Sequence, residues 1–402
     1  MKITNYNINP YLIILLSIFG IYLFNIFVFY SNFYELIGIK GLLVNYDGGF
    51  IRRGLLGEII TSLSLNFSFK IKDLFTFFHC ANYILFFYLN YILFNKFKKN
   101  FLFYFFIFSP IYFFYPLVAV TTKYAEHVIQ REAYLLTIFI SFIIFCTKVK
   151  NRKFVFGFGI TSLLFSTLLY ELTILCFPFF FTIYYIFLKR NNYLRNIFEI
   201  LFATTFCLLI LVFHLYFYGE NDLNLMIDSL NNNFGFNYDS SDLLYSWLNQ
   251  DISKQVIFLM DSFKINYVFK YIFYAHPVLL LIFINHKFIN DRIYLLLFNM
   301  SIFLFAIVFA IATDWARFVH ILYSLSLMTF AFYFFQSFDN IFHKIGDQIA
   351  LRSKINRNLI NILVFIYCIM WNLKHTFWQN HLSYGFFQII QQNLLYFNEL
   401  IF

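Results

Sequence analysis

The segment from Asn45 to Glu58 has the residue types of a reactive or ligand-binding loop. It contains Asp47, a pair of glycines, and then the adjacent cations Arg52 and Arg53. Five of the 13 glycines lie between positions 41 and 57. Glycine lets a backbone turn sharply or come close to a ligand, so an acid and two arginines bracketed by glycines predict a binding loop. The alternative is a solvated loop whose arginines are anchored at lipid headgroups.

A second charged cluster precedes a long apolar run. It holds Lys123, Glu126, His127 and Arg131. If a helix begins here, His127 and Arg131 share a face, because residues four apart are neighbours on a helix surface. Ordinary salt bridges at a helix end are the alternative interpretation.

Two further positions place charge between apolar runs. Asp314 and Arg317 are three residues apart, and Glu171 stands alone at a predicted tight hairpin. Charges this close to hydrocarbon are costly and are usually functional. The alternatives are a structural ion pair that pins a turn, for Asp314 and Arg317, and a simple solvated turn, for Glu171.

Several arginines beside carboxylates at a lipid boundary suit an anionic diphosphate headgroup, because arginine binds phosphate through a bidentate fork. A nearby carboxylate could take a proton from a sugar hydroxyl that attacks an anomeric carbon, while the arginines stabilise charge on the departing diphosphate. Such a reaction needs no nucleotide-binding loop, and the sequence contains neither glycine-rich nucleotide motif.

The elements that must position these residues are membrane-spanning helices. The chain has 402 residues, of which 61% are hydrophobic and 12% charged, against about 25% charged in soluble domains. A helix needs about 20 apolar residues to cross the hydrocarbon. This predicts an all-α, polytopic bundle of about 11 spans (10 to 12), forming a single membrane domain over residues 1–402. The spans begin near Tyr11, Leu74, Phe101, Ala133, Phe154, Leu172, Asn196, Tyr271, Ile293, Val319 and Leu359.

The distribution of positive charge predicts the orientation. With the N-terminus in the cytoplasm, most of the 29 Lys and Arg residues fall in short cytoplasmic segments, as the positive-inside rule requires. The net charge of +9 is then topological, and we expect no nucleic-acid partner. The outer face would carry loops at about 31–72, 119–132 and 219–270 and a C-terminal tail at about 374–402.

The segment from Tyr46 to Leu55, together with the later run from Asp314 to Arg317, resembles the bacterial O-antigen and capsule polymerases of the Wzy type. More broadly, it is similar to the GT-C class of polyprenyl-linked glycosyltransferases. In that class an aspartate in the first outer loop is commonly catalytic and interfacial helices follow it. Asp47 occupies that place. The resemblance implies transfer of a glycan from undecaprenyl diphosphate to a second lipid-linked repeat unit, at the periplasmic face of the bacterial inner membrane.

We therefore expect Asp47 to be the catalytic base or an acceptor-orienting carboxylate, with Glu126 and Asp314 as further catalytic candidates. The substrate-binding candidates share a position at the outer face: Arg52, Arg53, Lys123, His127, Arg131, Glu171 and Arg317. Within this set, the diphosphate would be bound first by Arg52, Arg53 and Arg317, with Lys123 and Arg131 as secondary candidates.

We predict no cofactor and no metal ligand set; a divalent ion held by Asp47 with Glu126 or Asp314 is the open alternative. The expected partners are the lipid-linked oligosaccharide, membrane lipid and a chain-length regulator. Two other functions remain open: a flippase for lipid-linked oligosaccharide, and a membrane transferase that modifies surface glycans.

Overall fold

The computed structural model describes residues 9–34, 37–49, 53–118, 126–193, 222–239, 275–311, 314–335 and 356–370, together with scattered positions between 204 and 272. Every regular element in these ranges is helical. The α-helices are α1 (Pro10–Ser31), α2 (Ile37–Leu42), α3 (Gly54–Phe67), α4 (Ile71–Phe94), α5 (Phe101–Ile107), α6 (Tyr115–Val118), α7 (Glu132–Lys148), α8 (Arg152–Leu169), α9 (Phe177–Arg190), α10 (Leu223–Phe234), α11 (His276–Phe288), α12 (Arg292–Ile311), α13 (Trp315–Tyr333) and α14 (Arg357–Met370). Two 3₁₀ helices, Glu126–Ile129 and Glu171–Cys176, precede α7 and α9.

Six helical segments in the described part of the chain are long and apolar enough to cross a membrane. They are α1, α4, α8, the continuous segment Glu171–Arg190, α12 and α13. For the described residues, the prediction of an all-helical chain with helices able to span a membrane is therefore confirmed, while the count of about 11 spans stays a prediction. The starts predicted near Asn196 and Tyr271 lie outside the described residues.

Helix α13 lies at the centre of the bundle. Over its apolar length, 94% of the helix is buried. It packs against α4, α7, α9, α11 and α12. A helix that is apolar on every side needs neighbours on every side when it lies within a protein, and the apolar faces of these five helices supply them. Helix α4 in turn packs against α1 and α7. This packing holds the ends of these helices in fixed positions relative to one another.

The third predicted span, from about Phe101, is not one helix. α5 ends at Ile107, an irregular stretch covers residues 108–114, and α6 has only four residues. Pro110 has no backbone N–H and clashes with the preceding turn, which interrupts the helix. Side chains of neighbouring helices donate to the freed carbonyls: Tyr22 Oη to Phe113 O at 2.6 Å and Tyr323 Oη to Phe106 O at 2.9 Å. Irregular backbone at membrane depth is tolerated when protein groups satisfy it in this way.

Two helices, α2 and α3, lie between α1 and α4, where the resemblance implies interfacial helices. Their position at the membrane interface stays a prediction.

At the hairpin predicted near Glu171, α8 ends at Leu169, Tyr170 is extended, and the 3₁₀ helix begins at once. The chain therefore reverses direction there within very few residues.

The helix ends opposite to that hairpin form a basic face, which includes Lys148, Arg152, Lys153, Lys189 and Arg190. Asp291, just before α12, lies 2.5 Å from Lys189 Nζ and accepts a hydrogen bond from Tyr185 Oη at 2.9 Å. Burial by itself raises the pKa of the Asp291 carboxyl, but the hydrogen bonds from Lys189, the Tyr294 backbone N–H and Tyr185 outweigh burial and lower that pKa. The positive-inside rule predicts that this face is cytoplasmic.

Candidate functional site

Four separate chain segments meet at the other face and bring six charged side chains together. Arg53 precedes α3, Arg131 and Glu132 stand at the start of α7, Glu171 follows α8, and Asp314 and Arg317 stand at the start of α13. Ion pairs link these segments: Arg53 with Glu171, and Arg317 with both Glu132 and Asp314. We call these six residues the charged cluster.

Arg53 is bound to Glu171 through one edge of its guanidinium. Its Nε lies 2.7 and 2.8 Å from the two carboxylate oxygens, and its Nη2 contacts the first of them. Burial alone lowers the pKa of Arg53, but the charge of Glu171 and its hydrogen bonds together outweigh burial and raise that pKa. The fork of Arg53 is therefore already filled by a protein carboxylate.

The backbone of Arg53 is left-handed, with φ 72° and ψ 12°. A residue with a Cβ pays about 1–2 kcal/mol for this conformation, so the surrounding contacts must hold it. Arg53 is also the residue before α3, so this conformation stands at the point where the chain enters the helix.

Arg317 lies between two carboxylates. Its Nε is 3.1 Å from Glu132 Oε1, and its Nη1 is 3.5 Å from Asp314 Oδ2. Its side chain is 17% exposed and that of Glu132 only 8%. This pair therefore ties the start of α7 to the start of α13 in a largely water-excluded setting, where the electrostatic attraction is stronger than in bulk water.

Arg131 differs from the other two arginines because it forms no ion pair with a carboxylate among the described residues. It is 9% exposed, and neither its Nε nor its Nη2 has a hydrogen-bond partner among the residues that the structure describes. Arg317 Nε also lacks a hydrogen bond of good geometry, but it lies 3.1 Å from Glu132 Oε1. The Nε and Nη2 groups of Arg131 form the same edge that Arg53 uses to hold Glu171. Burial first, and then the neighbouring charge of Arg53, lower the pKa of Arg131. A buried charged fork without an acceptor is costly and fits an anionic ligand.

Glu132 has the complementary feature, a buried acceptor oxygen without a donor among the described residues. Its Oε1 faces Arg317, while its Oε2 is buried and has no partner within the described ranges. The residue lines a cavity of about 20 Å³, large enough for a water molecule. The polar groups around this cavity come mainly from tyrosines: Tyr22, Tyr83, Tyr112 and Tyr115, with His320.

The glycines of the first loop are explained by close packing within the protein. A Cβ on Gly48 would lie 2.0 Å from the carbonyl oxygen of Asp222, the residue that caps α10. A Cβ on Gly57 would lie 2.0 Å from Val44 O, and one on Gly54 would lie 2.3 Å from the Tyr46 ring. The close approach that glycine permits is therefore made here by the chain itself, so these glycines fix the loop that carries Arg53.

Asp47 stands on this loop, and its hydrogen bonds are separate from the charged cluster. Its Oδ2 accepts from Asn45 Nδ2 at 3.0 Å and from Ser229 Oγ, on α10, at 2.5 Å. Asn233 Nδ2 in turn donates to Ser229 Oγ at 3.1 Å. The Asp47 residue is exposed. Its carboxylate thus joins a short polar row on the outer surface of α10 and the first loop.

Of the residues singled out in the sequence, the structure brings Arg53, Arg131, Glu171, Asp314 and Arg317 into one cluster. Arg52 and Lys123 lie outside the described residues, and so do the side chains of Glu126 and His127.

Glu132 and Tyr170 belong to the site but were not predicted as site residues from the sequence. The signal for Glu132 was its position beside Arg131 at the start of an apolar run. Tyr170 adjoins Glu171, and its ring centroid lies 5.7 Å from the Arg53 guanidinium carbon. Burial raises the pKa of the Tyr170 phenol and the charge of Glu132 raises it further, so both groups belong to the same electrostatic environment.

In the part of the chain that the structure describes, no three His, Cys, Asp or Glu side chains are grouped as a metal site.

No protein-family model matches the chain. No curated protein and no solved structure matches it either.

Proposed function

We propose that this protein is a polysaccharide polymerase of the inner membrane. It transfers a glycan from undecaprenyl diphosphate to a second lipid-linked repeat unit, at the periplasmic face, and so lengthens an O-antigen-like polymer. The observation that carries the proposal is the unfilled fork of Arg131, buried at a helix start beside two arginines that already hold carboxylates. A planar fork with two parallel N–H groups fits two oxygens of a phosphate.

The neighbouring charges support binding of a diphosphate rather than a single carboxylate. Arg53 and Arg317 are held by Glu171 and Glu132, so they add positive potential without losing their positions. On departure of the diphosphate, negative charge develops on its bridging oxygen, and fixed guanidinium groups in a water-poor site stabilise that charge. Asp47, with Ser229 beside it, orients the acceptor glycan from the outer surface.

The positions of charge within the candidate spans favour a transferase over a flippase. In these six segments every Asp, Glu, Lys and Arg lies within three residues of an end. A flippase for a charged headgroup needs polar and charged groups near the bilayer midplane. Binding at one face is sufficient for a polymerase.

The deciding experiment is a lipopolysaccharide or capsule gel from a bacterial strain that lacks the gene. We expect loss of the long-chain ladder while one repeat unit remains attached to the lipid core. Loss of even that unit, with lipid-linked precursor trapped inside, would instead indicate the flippase. An unchanged ladder would leave only a transferase that modifies surface glycans.

Complementation with point variants connects the gel to the site. Arg131→Lys keeps the charge and removes the fork, so we expect it to restore little or no ladder at normal protein level. Arg152→Lys makes the same change on the basic face and should restore the full ladder.

A further inference from the structure

The carboxylates of the outer face differ in how much hydrogen-bonding capacity they have left. Both oxygens of Glu171 are held by Arg53. Asp47 is exposed, and its Oδ2 already accepts from Asn45 and Ser229. Glu132 alone combines burial with an oxygen, Oε2, that has no partner across the described ranges.

Glu132 also lies beside the group that the proposed function assigns to the phosphate. Arg131 and Glu132 are consecutive, so one turn of chain presents an unfilled donor fork and an unfilled acceptor oxygen. A phosphate-linked sugar that meets an attacking hydroxyl needs these two groups, a donor pair for the anionic oxygens and an acceptor for the O–H. Exposed carboxylates do not match this pattern, because water already satisfies them.

We propose that Glu132 is the catalytic base of the transfer, and this inference rests on the proposed function. The acceptor sugar hydroxyl donates its hydrogen bond to Glu132 Oε2. Its oxygen attacks the anomeric carbon of the donor glycan, a new C–O bond forms, and the bond from that carbon to the diphosphate oxygen breaks. The proton passes to Glu132, and the diphosphate leaves with the electron pair, held by Arg131. Arg317, through Oε1, keeps the carboxylate oriented.

Asp47 and Glu132 then divide the two roles that were predicted for Asp47, catalytic base and acceptor-orienting carboxylate. Asp47 lies in the exposed polar row with Ser229 and Asn233, so it acts on acceptor binding. Glu132 acts on the chemical step. Substitution of Asp47 should therefore change KM for the acceptor, and substitution of Glu132 should change kcat.

The test uses the full chain, purified in lipid nanodiscs, with synthetic undecaprenyl-diphosphate-linked repeat units. Glu132→Gln should lower kcat by about 100-fold or more, as expected for loss of a general base, with acceptor KM and lipid-diphosphate binding near those of the wild type. Asp47→Asn should raise acceptor KM with a smaller change in kcat. Gel filtration and lipid-diphosphate binding establish that each variant is folded.

Chemical rescue distinguishes a base from a structural carboxylate. In Glu132→Ala, added formate should restore part of kcat, because formate can occupy the space of the lost carboxylate and accept the proton. A Glu132→Gln enzyme with kcat within about threefold of the wild type would overturn the inference, as would a folded Glu132→Ala variant that formate does not rescue. If the wild-type protein forms no polymer from these substrates, the proposed function itself has failed.

Discussion

Replacing Arg131 by methionine should make the ligand-free protein more stable and remove its affinity for diphosphate. Arg131 is buried, its fork has no acceptor among the described residues, and Arg53 repels it. Methionine fills a similar volume without charge. Replacing buried charged groups by apolar ones of similar volume is often stabilising.

The magnitude follows from the unfilled fork. A buried polar group left without its partner costs about 1–3 kcal/mol, so the free energy of unfolding of Arg131→Met should rise by about that amount. The unfolding entropy of about 2.1 cal/mol/K per residue, taken over 402 residues, converts this to a Tm increase of ~1–4 °C. Loss of a charge-assisted pair to phosphate should lower diphosphate affinity by ~10- to 100-fold.

The assay is thermal unfolding in detergent by intrinsic fluorescence, without and with undecaprenyl diphosphate. The Tm of the wild type should rise when the lipid diphosphate is added, because a ligand that binds the folded state stabilises it. The Tm of Arg131→Met should rise little. Arg53→Met is the matched control. It leaves Glu171 without its bidentate partner and should lower Tm. If the Tm of Arg131→Met falls as far as that of Arg53→Met, then Arg131 is a structural residue and its assignment to the diphosphate is wrong.

Three further outcomes are expected. In a double-mutant cycle of Arg53→Ala and Glu171→Ala, the double variant should be more stable than the sum of the singles predicts, by about 1–3 kcal/mol; additive losses would show that the pair is uncoupled. Gly48→Ala should displace α10 and increase hydrogen exchange there, because its Cβ would overlap a backbone carbonyl, whereas Gly157→Ala, with open space around it, should leave α10 unchanged. The pKa of Asp291 is lowered in the folded state, so its stabilising contribution is complete above the unfolded value of about 3.9 and is lost as pH falls through the folded pKa. The Tm difference between wild type and Asp291→Asn should therefore shrink as pH is lowered from about 5 towards 3, and a constant difference would contradict this linkage.

The sequence could determine the helical membrane class because that class depends on composition along the chain. In hydrocarbon, an apolar run of about 20 residues can pair its backbone N–H and C=O groups within itself only as a helix. The starts predicted near Tyr11, Leu74 and Phe154 accordingly lie in α1, α4 and α8. The broken third span was missed because its stability depends on donors from other helices: Pro110 permits a break, but Tyr22 and Tyr323 satisfy the exposed carbonyls.

The sequence by itself also determined which charges are unusual. Arg53 lies among glycines near Asp47, and Arg131, Glu171, Asp314 and Arg317 stand beside apolar runs where charge is costly. Which of them remain available to a ligand was decided only by the tertiary structure. Arg53 and Arg317 are equal candidates in the sequence, but each is paired with a carboxylate from a distant segment, whereas Arg131 keeps an unfilled fork. Pairing depends on which helix ends meet, and that is set by the packing of α7, α9 and α13, which no local pattern of residues specifies.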